Sequence, residues 1–228
     1  MSVSFRHELK YFISLAEYEL LSRKLALTME RDKYAKQTGK YFIRSLYFDD
    51  YMDTAMQDKL DGTDHRDKYR IRIYNLKDTD IKLERKHKEG QFIQKSSIGL
   101  TRQECDALIA GNCTFLLRRR EPFAHEMYAA FRTQLLRPRV IVDYDREPYV
   151  FPLEDVRVTF DQDIRTGLRS IALFDPEIPT YPVIDGYGMV MEVKFNRYLP
   201  AYIQTLLQPL ENAQRSAISK YCLCRRYE

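Results

Sequence analysis

Strict two-residue alternation, with cations gathered on one side, is the feature of this chain that most restricts its fold. In Lys68-Tyr69-Arg70-Ile71-Arg72-Ile73, the side chains of Lys68, Arg70 and Arg72 share one face, and Tyr69, Ile71 and Ile73 share the other. Only a strand separates them so, because strand side chains alternate with period two and helical ones recur every 3.6 residues. The pattern repeats along the chain. Arg6, Glu8 and Lys10 oppose Phe5, Leu9 and Tyr11, while Lys82, Glu84, Lys86 and Lys88 form one row in Ile81 to Lys88. Arg157, Thr159, Asp161 and Asp163 oppose Val156, Val158 and Phe160, and Glu192 and Lys194 alternate with Met191, Val193 and Phe195. Between Val140 and Arg146 the pattern is looser, with Tyr144 and Arg146 on the face of Val140 and Val142.

Helical spacing separates these runs. Ser14 to Met29 places Leu15, Tyr18, Leu21 and Leu25 on a helical stripe, opened by Ser14 three residues before Glu17, the signature of a capping box. Thr101 and Glu104 repeat that signature before a short helix through Leu108. Pro122 to Leu136 and Pro200 to Leu207 each begin with a proline, which the first helical turn tolerates because its N–H has no partner there. The predicted class is α+β with a dominant antiparallel sheet. With no internal repeat and no Gly/Ser linker, residues 1–228 are read as one domain.

A single charged row is ordinary for the solvated side of a sheet. Cation-rich rows on strand after strand are not, since like charges on neighbouring strands repel. An anionic partner is the physical remedy. A barrel of about eight strands could turn these rows into its lumen around one elongated ligand. Arginine suits phosphate through paired charge-assisted hydrogen bonds and lysine adds a movable point charge, while Glu8, Glu84 and Glu192 are hard oxygen donors for Mg²⁺ or Mn²⁺. The net charge of +4, from 37 Lys+Arg against 33 Asp+Glu, argues against nucleic acid as the partner. His7, His65, His87 and His125 lack ligand spacing. Cys105, Cys113, Cys222 and Cys224 form no C-x-x-C pair and are read as free thiols in a reducing compartment. The charged start, Met1 to Lys10, is no signal peptide, and no apolar run reaches the ~20 residues of a membrane span, so a cytoplasmic location is expected.

The runs Arg6-His7-Glu8-Leu9-Lys10-Tyr11, Arg44-Ser45-Leu46-Tyr47-Phe48-Asp49, Tyr69-Arg70-Ile71-Arg72, Lys82-Leu83-Glu84-Arg85-Lys86 and Glu192-Val193-Lys194-Phe195 together resemble the catalytic domain of the vacuolar transporter chaperone (VTC) polyphosphate polymerases. These belong to the triphosphate tunnel metalloenzyme, CYTH-like, superfamily. The likeness implies a closed eight-stranded antiparallel β-barrel, the triphosphate tunnel, with flanking helices. It further implies a metal-dependent transfer of the terminal phosphate of a nucleoside triphosphate, ATP, onto polyphosphate. Carried over residue by residue, Lys10, Arg70, Arg72, Lys82 or Lys86, Arg146, Arg157 and Lys220 would serve transfer. Arg6, Arg44, Lys68, Tyr144, Lys194 and Ser219 would bind the substrate, and Glu192, with Glu8 and Glu84, would hold Mn²⁺ or Mg²⁺.

Hydrolase and cyclase members of the superfamily open with Glu-x-Glu-x-Lys, whereas Arg6 stands where the first glutamate would be. The exchange removes a carboxylate and adds a cation, favouring polymer handling over hydrolysis. The membrane helices of eukaryotic VTC proteins have no counterpart here, which leaves a membrane-protein partner unidentified. A triphosphatase and a non-catalytic polyphosphate-binding module are the alternative readings.

Overall fold

A computed structural model describes residues 7–90, 92–151, 155–186, 188–196, 198–208 and 216–226. The strands are β1 (His7–Ile13), β2 (Glu30–Arg31), β3 (Tyr41–Asp49), β4 (His65–Tyr74), β5 (Lys77–Glu89), β6 (Phe92–Leu100), β7 (Arg137–Phe151), β8 (Val156–Thr166), β9 (Tyr181–Pro182) and β10 (Met189–Phe195). The helices are α1 (Leu15–Thr28), α2 (Thr54–Leu60), α3 (Arg102–Ile109), α4 (Pro122–Thr133), α5 (Ala201–Leu207) and α6 (Lys220–Arg225), with a 3₁₀ turn at Thr114–Arg118. The chain divides into two compact units, the first formed by Met1–Phe42, Tyr144–Arg165 and Pro182–Ser219, the second by Ile43–Asp143, Thr166–Tyr181 and Lys220–Glu228. Strand β7 runs through both.

In the first unit the hydrogen-bonded order is β1-β10-β8-β7, with β2 on β7. The apolar sides of β8 and β10 present Val156, Val158, Phe160, Met191 and Val193 to a core completed by Leu21 and Leu25 of α1 and Ile203 and Leu207 of α5. Helix α1 starts as its sequence predicts. The Glu17 N–H donates to Ser14 Oγ (3.3 Å) while Glu17 Oε2 accepts from the Ser14 N–H (2.7 Å).

In the second unit the order is β7-β3-β4-β5-β6. Leu46, Phe48, Tyr69, Ile71, Ile73, Ile81 and Leu83 pack beneath Cys105 and Leu108 of α3 and Ala124, Met127 and Phe131 of α4. Helix α3 carries the predicted capping box, with Thr101 N–H donating to Glu104 Oε2 at 2.9 Å. Helix α4 stops at Thr133 rather than Leu136, because Leu135 takes a left-handed backbone (φ 52°) and turns the chain into β7. Helix α2, unmarked in the sequence, has no cap from its own N-cap residue Asp53. Its first N–H, that of Thr54, donates instead to Asp50 Oδ1 at 2.9 Å, and those of Ala55 and Met56 donate to the Asp49 carboxylate at 2.9 and 3.2 Å.

One expectation about architecture is corrected. The ten strands form an antiparallel sheet in an α+β fold, not a closed barrel of eight. Strands β1 and β6 end the path, and among the described residues no pairing joins them. Alternation determines which face a strand shows, whereas closure depends on the tilt and stagger accumulated over every strand, and no short stretch encodes that.

Candidate functional site

The second unit carries the cation-rich face, and its register explains what the sequence could only suggest. Antiparallel pairing of β4 with β5 sets Lys68 opposite Lys86, Arg70 opposite Glu84 and Arg72 opposite Lys82. Pairing of β5 with β6 sets Lys86 opposite Lys95 and Glu84 opposite Ser97. On the other side, Ser45 and Tyr47 of β3 lie opposite Arg72 and Arg70. Like charges directly across a sheet repel, and this register gathers Lys68, Lys86 and Lys95 in one line and Arg72 beside Lys82, whose Nζ also lies 3.1 Å from Asp80.

Glu84, 1% exposed, is the acid among them. Arg70 Nε donates to Glu84 Oε2 at 2.7 Å, Lys95 Nζ lies 2.5 Å from Oε1, and Arg72 Nη1 stands 3.9 Å away. Burial alone would raise the Glu84 carboxyl, but these three cations outweigh it and hold the group far below the usual carboxylate range. Lys95 is pushed down to about 8, first by burial and then by Arg70 and Arg72, with Glu84 opposing. Two further bonds aim the arginines, Arg70 Nη1 to the Tyr47 hydroxyl (2.7 Å) and Arg72 Nε to Ser45 Oγ (3.3 Å). Tyr47 in turn stacks on Tyr221 of α6, over whose ring Lys68 Nζ sits at 5.6 Å.

The polar face of the first unit is built differently, with complementary pairs between β1 and β10 and one like-charged pair, Lys194 opposite Arg157, between β10 and β8. Glu8 faces Lys194 and Lys10 faces Glu192 across β1 and β10, and Glu192 and Lys194 face Thr159 and Arg157 across β10 and β8. Lys10 Nζ is 2.9 Å from Glu8 and donates to the Ile218 carbonyl at 3.1 Å, just before Ser219. Lys194 Nζ lies 3.0 Å from Glu192 Oε1 and Arg146 Nη2 3.7 Å from Glu192 Oε2. Arg146 itself grips buried Asp161 through Nε (2.7 Å) and Nη2 (2.8 Å) and stands over the Tyr144 ring. Desolvation by itself would lower the Arg146 guanidinium, but the Asp161 charge prevails and raises it well above its ordinary value. Arg157 donates to the Tyr41 hydroxyl (3.2 Å) and lies 3.1 Å from Asp32.

The chain's sequence matches the VTC domain over residues 5–227. It belongs to the VTC domain family. Among solved structures, a Hippeastrum protein described as an adenylyl cyclase candidate with dominant triphosphatase activity is similar at 15% identity and a TM-score of 0.58, covering 98% of this chain and 96% of that one. A Bacillus halodurans protein described as an adenylate cyclase candidate is similar at 13% identity and a TM-score of 0.57, covering 98% and 99%. Such distant likeness speaks for a shared fold alone. Among the curated proteins nothing matches.

Within this VTC domain, Lys68, Arg70, Arg72, Lys82 and Lys86 come together on one face of the second unit. Both candidates for the family lysine, Lys82 and Lys86, stand on that row. Glu8, Lys10, Arg146, Arg157, Glu192 and Lys194 come together on the polar face of the first unit, with Tyr144 beside Arg146. Lys220 opens α6 directly after Ser219, and Arg6 lies outside the described residues.

Arg44 and Glu84 are placed apart from the other candidates. Arg44 pairs opposite Ile73 on the apolar side of the sheet, where it donates to Asp143 at 2.8 and 2.9 Å and to the Asp175 carbonyl. It forms a buried ion pair with Asp143. Glu84 stands among the cations, with Arg70, Arg72 and Lys95 around its carboxylate. Asp161 and Lys95 were missed as site residues. Asp161 carries no signal beyond its place in the Arg157 row. Lys95 lies in Gln94-Lys95-Ser96-Ser97, polar on both faces and therefore without the alternation that marks the other strands.

Among the described residues no group of three or more His, Cys, Asp or Glu side chains is arranged to hold a metal. Glu8 and Glu192 nonetheless share a face, diagonal to one another across β1 and β10. That donor set fits a hard cation of the Mg²⁺ type, which is commonly held by one or two carboxylates plus the oxygens of a substrate phosphate. No described helix is long and apolar enough to cross a membrane, and all four cysteines are buried.

Proposed function

We propose that the protein is a metal-dependent phosphotransferase that moves the terminal phosphate of a nucleoside triphosphate, ATP, onto a polyphosphate chain. The observation that carries this reading is the run of like-charged cross-strand neighbours, Lys68-Lys86-Lys95 and Arg72-Lys82, around one buried glutamate. Such a concentration of cations on one face attracts a polyanion. Arg70 and Arg72 lie two residues apart on one strand, hence roughly 6.5–7 Å, a separation at which each can hold a different phosphate of one chain.

In the transfer, the bond between the γ-phosphorus and the β–γ bridging oxygen breaks, and a terminal polyphosphate oxygen bonds to that phosphorus. ADP leaves and the polymer grows by one unit. Phosphoryl transfer asks little covalent help of the protein, so orientation and charge neutralisation by Arg70, Arg72, Lys82, Lys86 and Lys95 supply the acceleration. On the first unit's own polar face, Lys10, Lys194 and Arg157 stand with Glu8 and Glu192, which would hold Mn²⁺ or Mg²⁺. The bound metal would neutralise charge on phosphate oxygens.

A second reading, a triphosphatase, draws on the description of the Hippeastrum protein. One experiment separates them: purified protein with ATP and Mn²⁺, with and without a short polyphosphate primer, resolved on a polyphosphate gel. Chains longer than triphosphate together with ADP are expected. Orthophosphate equal to ADP, with no chains under either condition, would transfer the assignment to hydrolysis.

A further inference from the structure

On the polar face of the first unit, one group is unexplained by either ion pairing or packing. Thr159 of β8 is 3% exposed, and its Oγ1 is buried without a hydrogen-bond partner among the described residues. Its same-face strand neighbours are Arg157 and Asp161, and directly across on β10 stands Glu192, with Lys10 beyond it on β1. Valine has nearly the shape of threonine and an equal liking for strands. A buried hydroxyl left unpaired is unfavourable where valine would be neutral, so an unpaired hydroxyl at this position calls for a partner gained in another state.

Glu192 is the partner within reach. Residues directly opposed in an antiparallel pair have Cβ atoms about 4.5–5.5 Å apart, which rotamer changes can close to hydrogen-bond distance. In the structure the Glu192 oxygens are turned to cations, Oε1 to Lys194 at 3.0 Å and Oε2 to Arg146 at 3.7 Å. An incoming polyanion competes for Lys194 above all, because that side chain is long and about one-third exposed, whereas Arg146 is clamped on Asp161.

We propose that Thr159 is a positioning residue for Glu192: when a phosphate chain draws Lys194 away, the Thr159 hydroxyl donates to the released carboxylate and holds it oriented toward a divalent cation. The proposal rests on the reading of Glu192 as a metal carboxylate. Outer hydrogen bonds of this kind orient ligating carboxylates in metal sites generally. The resting protein tolerates the unpaired hydroxyl because the bound state uses it.

The test measures stability and metal affinity separately, on the full chain. Thr159→Val should melt at or above the parent temperature without ligand, because it removes an unpaired buried hydroxyl. Its Mn²⁺ affinity, titrated by electron paramagnetic resonance in the presence of inorganic triphosphate, should fall by about 10–100-fold. Thr159→Ser, which restores the hydroxyl, should recover most of that loss. Unchanged Mn²⁺ affinity in Thr159→Val overturns the proposal while leaving the metal reading of Glu192 intact. A lower melting temperature for Thr159→Val overturns it too, since the hydroxyl would then be paired at rest. If the parent binds no Mn²⁺ with triphosphate, or Glu192→Gln binds it as well as the parent, the metal reading itself fails and takes the proposal with it.

Discussion

Replacing Glu84 by glutamine tests whether this carboxylate organises cations or ligates a metal, two roles with opposite consequences. Its oxygens lie 2.5, 2.7 and 3.9 Å from Lys95, Arg70 and Arg72. At an effective dielectric of about 20, each separation corresponds to about 4–7 kcal/mol of attraction before desolvation. Desolvating the charges cancels most of this. Removing one partner from a buried ionic network nevertheless costs about 3–5 kcal/mol, because the remaining charges stay buried without it. For a chain of this size that is a drop on the order of 6–20 °C in melting temperature. The anion that the cations await should compensate, so inorganic triphosphate should raise the melting temperature of Glu84→Gln more than that of the parent. Scanning calorimetry with and without triphosphate reads both effects. A variant that melts within ~2 °C of the parent and has lost only its Mn²⁺-dependent stabilisation would refute the reasoning and return Glu84 to the metal.

Arg72→Ala should lower phosphate transfer by ~10²–10³, whereas Arg44→Ala should cost about 3–5 kcal/mol of stability by stranding Asp143 and leave triphosphate affinity unchanged below its melting range. Equal losses of affinity in the two variants, seen by calorimetric titration, would contradict the assignment of Arg44 to the core. Lys95, lowered to about 8 from 10.5, binds its proton less well folded than unfolded. Between those values the unfolded chain holds the extra proton, so stability rises with pH across that window while the phosphate-gripping charge is lost. Triphosphate affinity should therefore fall between about pH 7 and pH 9, and Lys95→Arg should flatten the fall. An identical slope in parent and variant would remove Lys95 from the site.

The faces of the strands were legible in the sequence because alternation is a local property. Lys68, Arg70 and Arg72 on one side with Tyr69, Ile71 and Ile73 on the other could arise in no other regular structure, and the structure keeps that division. The capping boxes at Ser14 and Thr101 were legible for the same reason, since each is closed by residues three apart. Tertiary structure decided what depends on residues far apart. Arg44 lies in one of the runs that carry the likeness to the VTC family, yet its partner is Asp143, 99 positions away, which meets it on the apolar face. Glu84 reads as a hard oxygen donor until β4 and β6 bring Arg70, Arg72 and Lys95 around it. Helix α2 needs a cap from Asp49, on the preceding strand. A residue's type announces which chemistry it can perform, but register and burial select its partner. In a sheet, a neighbour across the strand is within about 5 Å however distant it is along the chain.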